Sequence, residues 1–470
     1  MKYNPVSDAI VKKLAEICGE NEVFCDREKL EPYAHDETPM EQGTYFPEVV
    51  VRPRRTEQVA QIMRLAYEND IPVTPRGAGS GLSGGAIPVF GGIVVSLEKM
   101  NKILEIDTQN MMVTLEPGVV TNEVNEQVKE MGLFFAGYPM SVETCFIGGN
   151  VAENAGGGRA VKYGVTDRYI MGLEIVLPDG EIISLGGKRV KDVTGYNLKQ
   201  LFIGSEGTLG IVTKVIVKLL PLPSAIVDLL ILFRDIREAI RIVPKIMTET
   251  RIIPTSIEFM DQLSVQTSCQ YLNEHLPYQK AGAMLLIEVD GNNQQEVEAN
   301  AEAIGELCLE QGALEVYVAD NVTTQERVWA VRRNIAEAFM VSSPKQCIED
   351  IVVPISVIAE VVEEIQTISQ KYDILIPCYG HAGDGNLHVT LVKNPHHSQE
   401  RWLEIEHHVL LELYHLVKEK GGTISGEHGI GLKRKDYLDL FLSASEIRVM
   451  KKIKKAIDPK NIMNPGKIFK

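Results

Sequence analysis

The sequence contains no Cys-x-x-Cys pair, and its seven cysteines are scattered along 470 residues. An odd number of dispersed cysteines argues against a disulfide framework, and the missing spacing argues against a zinc or iron–sulfur site held by four thiolates. Any electrons that the protein handles therefore need a carrier other than an iron–sulfur cluster of its own.

The sequence also lacks an apolar signal core at its start, a window long enough to cross a bilayer, and a face rich in lysine or arginine. Acidic residues outnumber basic ones by 64 to 48. These absences disfavour nucleic acid as a partner and predict a cytoplasmic protein without a membrane span. The length predicts two or three domains with substantial cores.

The pattern of short runs divides the chain into three parts. After an N-terminal helical stretch, residues 47–220 alternate β-branched runs with glycine-rich turns and helices, which predicts an α+β domain at 1–220. Two prolines within residues 219–223 predict a linker. Strand–helix–strand units predict a second domain at 221–420, with a ferredoxin-like antiparallel sheet carrying helices on one face. The segment 421–470 is expected to return to the first domain.

Two histidines flank a glycine-rich turn in Tyr379-Gly-His-Ala-Gly-Asp-Gly-Asn-Leu-His388. Asp384-Gly385 predicts a two-residue type I′ turn, which would pair His381 directly with His388. Directly opposed residues have Cβ atoms about 5 Å apart. The two imidazoles are therefore predicted to face each other.

Such a pair can share one divalent cation, and Glu427, in Gly426-Glu-His-Gly-Ile-Gly431, would add a carboxylate while leaving positions free for a substrate. Zinc, manganese and iron(II) all suit nitrogen and oxygen ligands. The alternative is that the glycines only form a turn and that His381 and His388 make ordinary hydrogen bonds.

A loop of small residues follows a predicted strand at 75–85. Its glycines expose consecutive backbone N–H groups, as a pyrophosphate-binding loop requires. It lacks the Gly-Lys-Ser/Thr of a Walker loop, and the chain has no Rossmann fingerprint. Further glycine-rich segments lie at 147–158, 163–164 and 202–212. One such loop alone is often only a flexible turn, but several in one domain predict an extended dinucleotide cofactor.

Seven motifs are spread over nearly the whole length of the chain. They are Arg76-Gly-Ala-Gly-Ser-Gly81, Ile147-Gly-Gly-Asn-Val-Ala-Glu-Asn-Ala-Gly-Gly157, Lys191-Asp-Val-Thr-Gly-Tyr196, Ile203-Gly-Ser-Glu-Gly-Thr-Leu-Gly-Ile211, Tyr379 to His388, Gly426 to Gly431 and Asn464-Pro-Gly-Lys467. By these motifs the chain resembles the FAD-linked D-2-hydroxyacid dehydrogenases, which include the glycolate oxidase catalytic subunit, D-lactate dehydrogenases and D-2-hydroxyglutarate dehydrogenase.

The resemblance implies an FAD-binding domain of the vanillyl-alcohol-oxidase type at 1–220 and a substrate-capping domain after it. Because no histidine lies near the pyrophosphate loop, FAD is expected to be bound non-covalently. The residues that the resemblance assigns to FAD are Arg76, Gly77, Ala78, Gly79, Ser80, Gly81, Pro139, Thr144, Gly148, Gly149, Asn154, Glu206 and Ile211.

Two catalytic residues are predicted, of which His428 stands where the resemblance puts the reacting hydroxyl. His428 is the expected general base, since an imidazole titrates near neutrality; the alternative is a hydrogen-bond partner of the metal ligands. Arg332 is the expected clamp for the substrate carboxylate, because a guanidinium matches carboxylate geometry. Its alternative is a salt bridge on the surface of a helix.

Ala336, Ile348 and Thr390 stand where the hydroxyglutarate enzymes place polar residues for the distal end of their substrate. A second carboxylate would be desolvated there without a partner. The chain is therefore expected to oxidise a short 2-hydroxy monocarboxylate, D-lactate before glycolate or D-2-hydroxyglutarate. The reduced flavin is expected to pass electrons to an electron-transfer flavoprotein, or else to an iron–sulfur subunit. Two other hypotheses are a metallohydrolase and a flavin-bearing structural subunit of a larger complex.

Overall fold

The computed structural model describes residues 3–39, 45–343 and 345–470. The chain forms two compact units, each built from separate stretches of sequence. The first unit contains residues 1–156, 165–222 and 427–470, and the second contains 157–164 and 223–426. The short segment 157–164 thus belongs to the second unit although the residues on both sides of it belong to the first.

The strands, numbered in chain order, are β1 Val23–Phe24, β2 Val49–Val51, β3 Val73–Arg76, β4 Ile93–Ser96, β5 Ile103–Asp107, β6 Met112–Leu115, β7 Leu133–Phe134, β8 Ile170–Val176, β9 Ile182–Gly186, β10 Ile211–Lys218, β11 Leu220–Pro221, β12 Ala225–Phe233, β13 Ser256–Asp261, β14 Ala283–Gly291, β15 Glu315–Ala319, β16 Gln346–Val352, β17 Cys378–His381 and β18 Asn386–Val392. The helices are α1 Asp8–Cys18, α2 Arg27–Leu30, α3 Thr56–Glu68, α4 Thr121–Val128, α5 Ile147–Glu153, α6 Ala160–Tyr163, α7 Leu198–Phe202, α8 Ile236–Glu249, α9 Gln262–Leu272, α10 Gln294–Glu310, α11 Val322–Arg333, α12 Ile335–Ser342, α13 Ile358–Tyr372, α14 Gln399–Glu419, α15 Leu438–Phe441 and α16 Ala444–Ile457.

The first unit contains a four-stranded sheet of order β1-β2-β4-β3, in which β2, β4 and β3 run parallel. Helices α1 and α3 share one hydrophobic cluster with these strands. The C-terminal stretch joins the same core, since the Val73 N–H donates to Ile462 O at 2.8 Å and the Asn464 N–H donates to Val73 O at 2.7 Å. The chain end therefore completes the layer that carries the first glycine-rich loop.

A second sheet of the first unit has the order β5-β6-β10-β8-β9, with antiparallel pairing throughout. Its central strand β10 alternates buried and half-buried residues, as a strand with one face in a core does. The segment expected to be a linker begins with β11, in which Leu220 and Pro221 pair with Phe134 and Leu133.

The second unit is built on a seven-stranded sheet of order β15-β12-β14-β13-β17-β18-β16, and its strand pairs are antiparallel. One face packs against α9, α11 and α12, where Leu230 and Met260 share a hydrophobic cluster with Phe339. The other face packs against α10. Val316 points away from that cluster, since it pairs with Ile231 rather than with Leu230, and a Cβ on Gly305 in α10 would lie 3.4 Å from the Val316 side chain. The prediction of helices on one face only is wrong.

Among the described residues, helices that combine the length and the apolar composition of a membrane span are absent.

Candidate functional site

Two glycine-rich segments of the first unit lie side by side. Strand β3 leads into the 76–81 loop, and a Cβ on Gly77 would lie 3.6 Å from Gly149 N and 3.9 Å from the Phe146 Cβ. A Cβ on Gly81 or on Gly149 itself would meet no described atom within 4 Å. Unhindered main chain on two adjacent segments fits the extended, phosphate-bearing part of a dinucleotide cofactor.

The Arg76 side chain does not point along this loop. Its guanidinium is buried and donates to His35 O at 2.6 Å and to Pro32 O at 3.0 Å. Gly79 has φ +80°, and a Cβ there would overlap the Arg76 guanidinium at 2.1 Å. The Arg76 side chain thus binds the segment that contains Pro32 and His35. Any contribution of Arg76 to cofactor binding is therefore predicted to come from its main chain.

Glu206 is also occupied by the protein. Its carboxylate accepts the Ile430 N–H at 2.8 Å and the Gly431 N–H at 2.6 Å. Asn464 Nδ2 donates to Glu206 O at 2.9 Å. Burial raises the pKa of this carboxyl. The main contacts of Glu206 therefore hold the C-terminal stretch of the first unit.

Other residues assigned to FAD by resemblance occupy defined structural positions. Asn154 ends α5 in the left-handed conformation, and its Oδ1 accepts the Asp167 N–H at 2.9 Å. Thr144 Oγ1 donates to Ser141 O at 3.3 Å. The Ile211 side chain lies in the core of the first unit and is 1% exposed. Contacts of these residues with FAD stay predictions.

The histidine hairpin forms, but with a different register from the predicted one. Tyr379 pairs with His388, and His381 pairs with Asn386. The connection is therefore the four residues 382–385 rather than a two-residue turn. The predicted direct pairing of the two histidines is wrong.

The physical reason lies in the neighbouring strand. The Gly383 N–H donates to Ile257 O at 3.2 Å, so this residue bonds to β13 instead of extending the hairpin ladder. A two-residue shift keeps side chains on the same face, because the side-chain period of a strand is two. The His381 and His388 rings consequently still meet, with centroids 5.3 Å apart and planes at 84°.

Glu258, which sequence reasoning missed, lies at the centre of this face. It is directly opposite His381 in the sheet, and His381 Nδ1 is 2.7 Å from Glu258 Oε1. Arg332 Nη2 is 2.6 Å from Glu258 Oε2. Burial by itself raises the pKa of the Glu258 carboxyl, but the imidazole and the guanidinium outweigh burial and lower this pKa to about 2.

Arg332, in the last turn of α11, is 4% exposed, and its guanidinium carbon lies 5.1 Å from the Tyr379 ring centre. A surface salt bridge is therefore excluded for Arg332, whereas Arg333 pairs with Glu326 on the surface. Arg332 Nε has no hydrogen-bond partner among the described residues. Leaving a buried donor of a cation without a partner costs free energy, and a hydrogen bond to an anionic ligand would remove that cost.

Asp350 is a second carboxylate that sequence reasoning missed. It is opposite His388 in the sheet, and its oxygens accept Asn386 Nδ2 at 2.5 Å, Ser425 Oγ at 2.7 Å and the Gly426 N–H at 3.0 Å. Two imidazoles close together, with buried carboxylates opposite each, have the chemistry of a divalent-metal site.

The chain passes directly from Gly426 to Glu427 and His428, the remaining residues of the predicted site. In the first unit, His428 Nε2 lies 3.8 Å from Glu427 Oε1. A signal for the missed acids existed: Glu258 lies between Ile257 and Phe259, and Asp350 precedes Ile351, in predicted strands where an acid is rarely buried without a partner.

Comparisons with known protein families give two matches. A family model described as the C-terminal domain of FAD linked oxidases matches residues 222–468, and one described as an FAD binding domain matches residues 47–186. The chain is 43% identical to the glycolate oxidase subunit GlcD of Bacillus subtilis (strain 168), over 93% of this chain and 92% of that protein. This chain belongs to the FAD-linked D-2-hydroxyacid dehydrogenase family.

Other relatives of this dehydrogenase are named for two different 2-hydroxy acids. It is 38% identical to a D-lactate dehydrogenase of Anaerostipes hadrus, over 99% of this chain and 98% of that one. It is 30% identical to a D-2-hydroxyglutarate dehydrogenase of Stutzerimonas stutzeri (strain A1501), over 98% and 99%. The protein is therefore an FAD-linked oxidoreductase, as the resemblance implied.

Solved structures resemble the dehydrogenase in fold. p-Cresol methylhydroxylase superimposes with a TM-score of 0.81 at 20% identity, covering 97% of this chain and 96% of that one. 4-Ethylphenol oxidase from Gulosibacter chungangensis gives 0.80 at 19% identity, covering 100% and 99%. The predicted α+β fold of the vanillyl-alcohol-oxidase type is confirmed.

Proposed function

We propose that this protein oxidises a short 2-hydroxy monocarboxylate, D-lactate before glycolate, and delivers the hydride to non-covalently bound FAD. The observation that carries the proposal is the buried Arg332, whose Nε has no hydrogen-bond partner in the described part of the chain, on the same sheet face as the His381 and His388 pair. An α-hydroxy acid needs a cation for its carboxylate and a polarising group for its hydroxyl, and this face carries residues for both.

In this scheme Arg332 binds the substrate carboxylate through the guanidinium edge that Glu258 leaves open. His381, His388 and Glu427 would hold one divalent cation, zinc, manganese or iron(II), which when bound would lower the pKa of the substrate hydroxyl. His428 accepts the hydroxyl proton, as an imidazole can near neutral pH. FAD, when bound, supplies the hydride acceptor.

The substrate size is inferred from the apolar surroundings. Ile348 is buried opposite Thr390 in the sheet, and Ala336 lies in α12. These positions offer no cation to a second carboxylate, whose desolvation would cost several kcal/mol. This favours D-lactate over D-2-hydroxyglutarate, although relatives named for both acids exist.

The electron acceptor is proposed to be a protein. The chain has no nicotinamide fingerprint and no cysteine spacing for an iron–sulfur cluster, so the reduced flavin needs an external acceptor. We favour an electron-transfer flavoprotein over an iron–sulfur subunit. Family membership sets aside the metallohydrolase hypothesis, and it favours an enzyme over a purely structural flavin-bearing subunit.

The test is anaerobic bleaching of the flavin absorbance by D-lactate, L-lactate, glycolate and D-2-hydroxyglutarate, with metal analysis of the same sample. D-lactate should bleach the flavin fastest, and removing the metal with a chelator should slow the reaction. Faster bleaching by D-2-hydroxyglutarate would overturn the proposed substrate, and unchanged rates in metal-free protein would overturn the proposed metal.

A further inference from the structure

We propose that Glu258 is a positioning residue that fixes the tautomer of His381 and the orientation of Arg332 at the same time. The inference rests on the proposed function, because it explains how the proposed metal ligand His381 and the proposed substrate-binding Arg332 are held in place. Neither the sequence motifs nor the names of the relatives assign a role to Glu258.

The contacts divide the carboxylate between two partners. Oε1 lies 2.7 Å from His381 Nδ1, and Oε2 lies 2.6 Å from Arg332 Nη2. The Arg332 guanidinium can only donate to Oε2, so the Glu258 carboxylate is the acceptor on both sides and Nδ1 of His381 carries the hydrogen of the other contact. In a neutral imidazole this leaves the Nε2 lone pair available, and a metal ligand needs one such nitrogen.

The same contact orients the guanidinium. With Nη2 held by Glu258 and the guanidinium carbon 5.1 Å from the Tyr379 ring centre, Arg332 has few alternative rotamers. Its Nε is left without a partner among the described residues. A guanidinium that is already fixed before the substrate binds loses less conformational entropy on binding a carboxylate than a mobile guanidinium does.

Glu258 is itself held in place. Ser256 Oγ donates to Glu258 Oε1 at 3.1 Å. A Cβ on Gly158 would lie 2.6 Å from the same oxygen, so the main chain of the 157–164 segment closes over the carboxylate. The side chain is 0% exposed. Such a carboxylate has no room to adopt another rotamer, which is what a positioning role requires.

The variant that tests the proposal is Glu258→Gln, which has the same shape but carries a donor. The glutamine amide can donate to Nδ1 and so favour the opposite tautomer. We expect Mn²⁺ to bind the metal-free flavoprotein 10- to 100-fold more weakly, roughly the loss typical when the partner of a metal ligand is removed. The KM for D-lactate should rise by a similar factor. Mn²⁺ binding is measured by electron paramagnetic resonance, without turnover.

The matched control is Asp228→Asn, another buried acid on the same sheet face that contacts neither His381 nor Arg332 in the described structure. It should leave the Mn²⁺ affinity and the KM unchanged. Flavin content is compared in all variants. If Glu258→Gln does not fold, Ser256→Ala removes one donor to Glu258 and should weaken Mn²⁺ binding in the same direction, by a smaller factor.

The tautomer is read directly by ¹⁵N NMR of histidine-labelled, metal-free protein, with the His381 signals assigned from a His381→Gln sample. Wild-type protein should show a protonated Nδ1 at His381, and Glu258→Gln should not. Equal Mn²⁺ affinity and KM in wild type and Glu258→Gln would overturn this inference alone. Wild-type protein that is bleached by D-lactate but binds no Mn²⁺ would overturn the metal assignment of the proposed function as well.

Discussion

Two buried acids on one face of the second unit's sheet differ in their electrostatic surroundings. Glu258 has two partners that lower its pKa to about 2. Asp228 has no partner that lowers its pKa as strongly. Burial, and after it the negative charge of Glu288, raises the pKa of Asp228 to about 8. At neutral pH one acid is therefore ionised and the other protonated, although both are almost completely buried.

Asp228→Asn should become more stable relative to the wild type as the pH rises. Between about pH 4 and pH 8 the folded state holds a proton on Asp228 that the unfolded state has lost, so the stabilisation from this proton is complete below pH 4 and disappears as the pH approaches 8. Asparagine has no such proton. The difference in unfolding free energy between variant and wild type should grow by about 1.4 kcal/mol per pH unit in this range. Urea titrations at pH 5, 6 and 7 measure it, and a constant difference would contradict the prediction.

Arg332→Lys should impair substrate binding more than folding. Lysine keeps a cation beside Glu258 but lacks the guanidinium edge proposed for the substrate carboxylate. We expect the KM for D-lactate to rise by roughly 10- to 150-fold, the equivalent of about 1.5–3 kcal/mol for a hydrogen bond to a charged group. The matched control is Arg333→Lys, at the exposed neighbour that pairs with Glu326. Equal KM values for the two variants would contradict the proposed role of Arg332 in binding the substrate carboxylate.

The hairpin of β17 and β18 depends on a turn that only glycine accommodates well. Gly385 has φ +86°, and a Cβ there would lie 2.1 Å from Val353 O. The Val353 N–H in turn donates to Gly385 O at 3.0 Å. This turn therefore fixes the strand that carries His388.

Gly385→Ala should destabilise the protein by about 2–4 kcal/mol, because it combines a strained left-handed backbone with a steric overlap that requires the main chain to move. The Mn²⁺ affinity should fall with it, since His388 moves with its strand. The control is Gly421→Ala, whose φ is +76° but whose added Cβ meets nothing within 4 Å. It should cost only about 1–2 kcal/mol. Thermal unfolding and Mn²⁺ titration distinguish the two variants. Equal losses of unfolding free energy in both would contradict the prediction, because the steric overlap at Gly385 would then add nothing.

The hairpin also shows how far local sequence determines a site. Alternation and glycine placement correctly indicate a turn flanked by histidines, because these are properties of neighbouring residues. The register is wrong because Gly383 bonds to Ile257, more than 100 residues earlier in the chain. Glu258 contacts His381 for the same reason: its strand pairs with β17, and no local pattern specifies that partner.

Across the whole molecule, each unit is completed by a segment from elsewhere in the chain. The last residues supply Ile462 and Met463, both 0% exposed, to the first unit's core. Asn464 Nδ2 donates to Gly85 O and to Glu206 O, each at 2.9 Å. The glycine-rich motifs of this unit therefore depend on the C-terminus for support. Sequence motifs indicate the cofactor loops, but they give no hint of this dependence.

Deleting residues 462–470 should abolish flavin binding. Loss of the two buried side chains alone costs about 4–10 kcal/mol, which is comparable to the whole stability of a typical domain. Deleting only Lys470, which is exposed, should leave a yellow protein of normal stability. Flavin absorbance after gel filtration measures both. A yellow, monodisperse 1–461 protein would show that the first unit folds without its last residues.

The segment 157–164 has a consequence for protein engineering. In the second unit, Arg159 lies 3.2 Å from Glu288 Oε1, Lys162 forms an ion pair with Asp290, and Tyr163 Oη donates to Asp290 Oδ2 at 2.8 Å. A chimera that exchanges the second unit between two relatives therefore needs four splice points rather than two. If residues 223–426 alone were grafted, Glu288 and Asp290 would have to pair with the 157–164 segment of the other protein instead of their own.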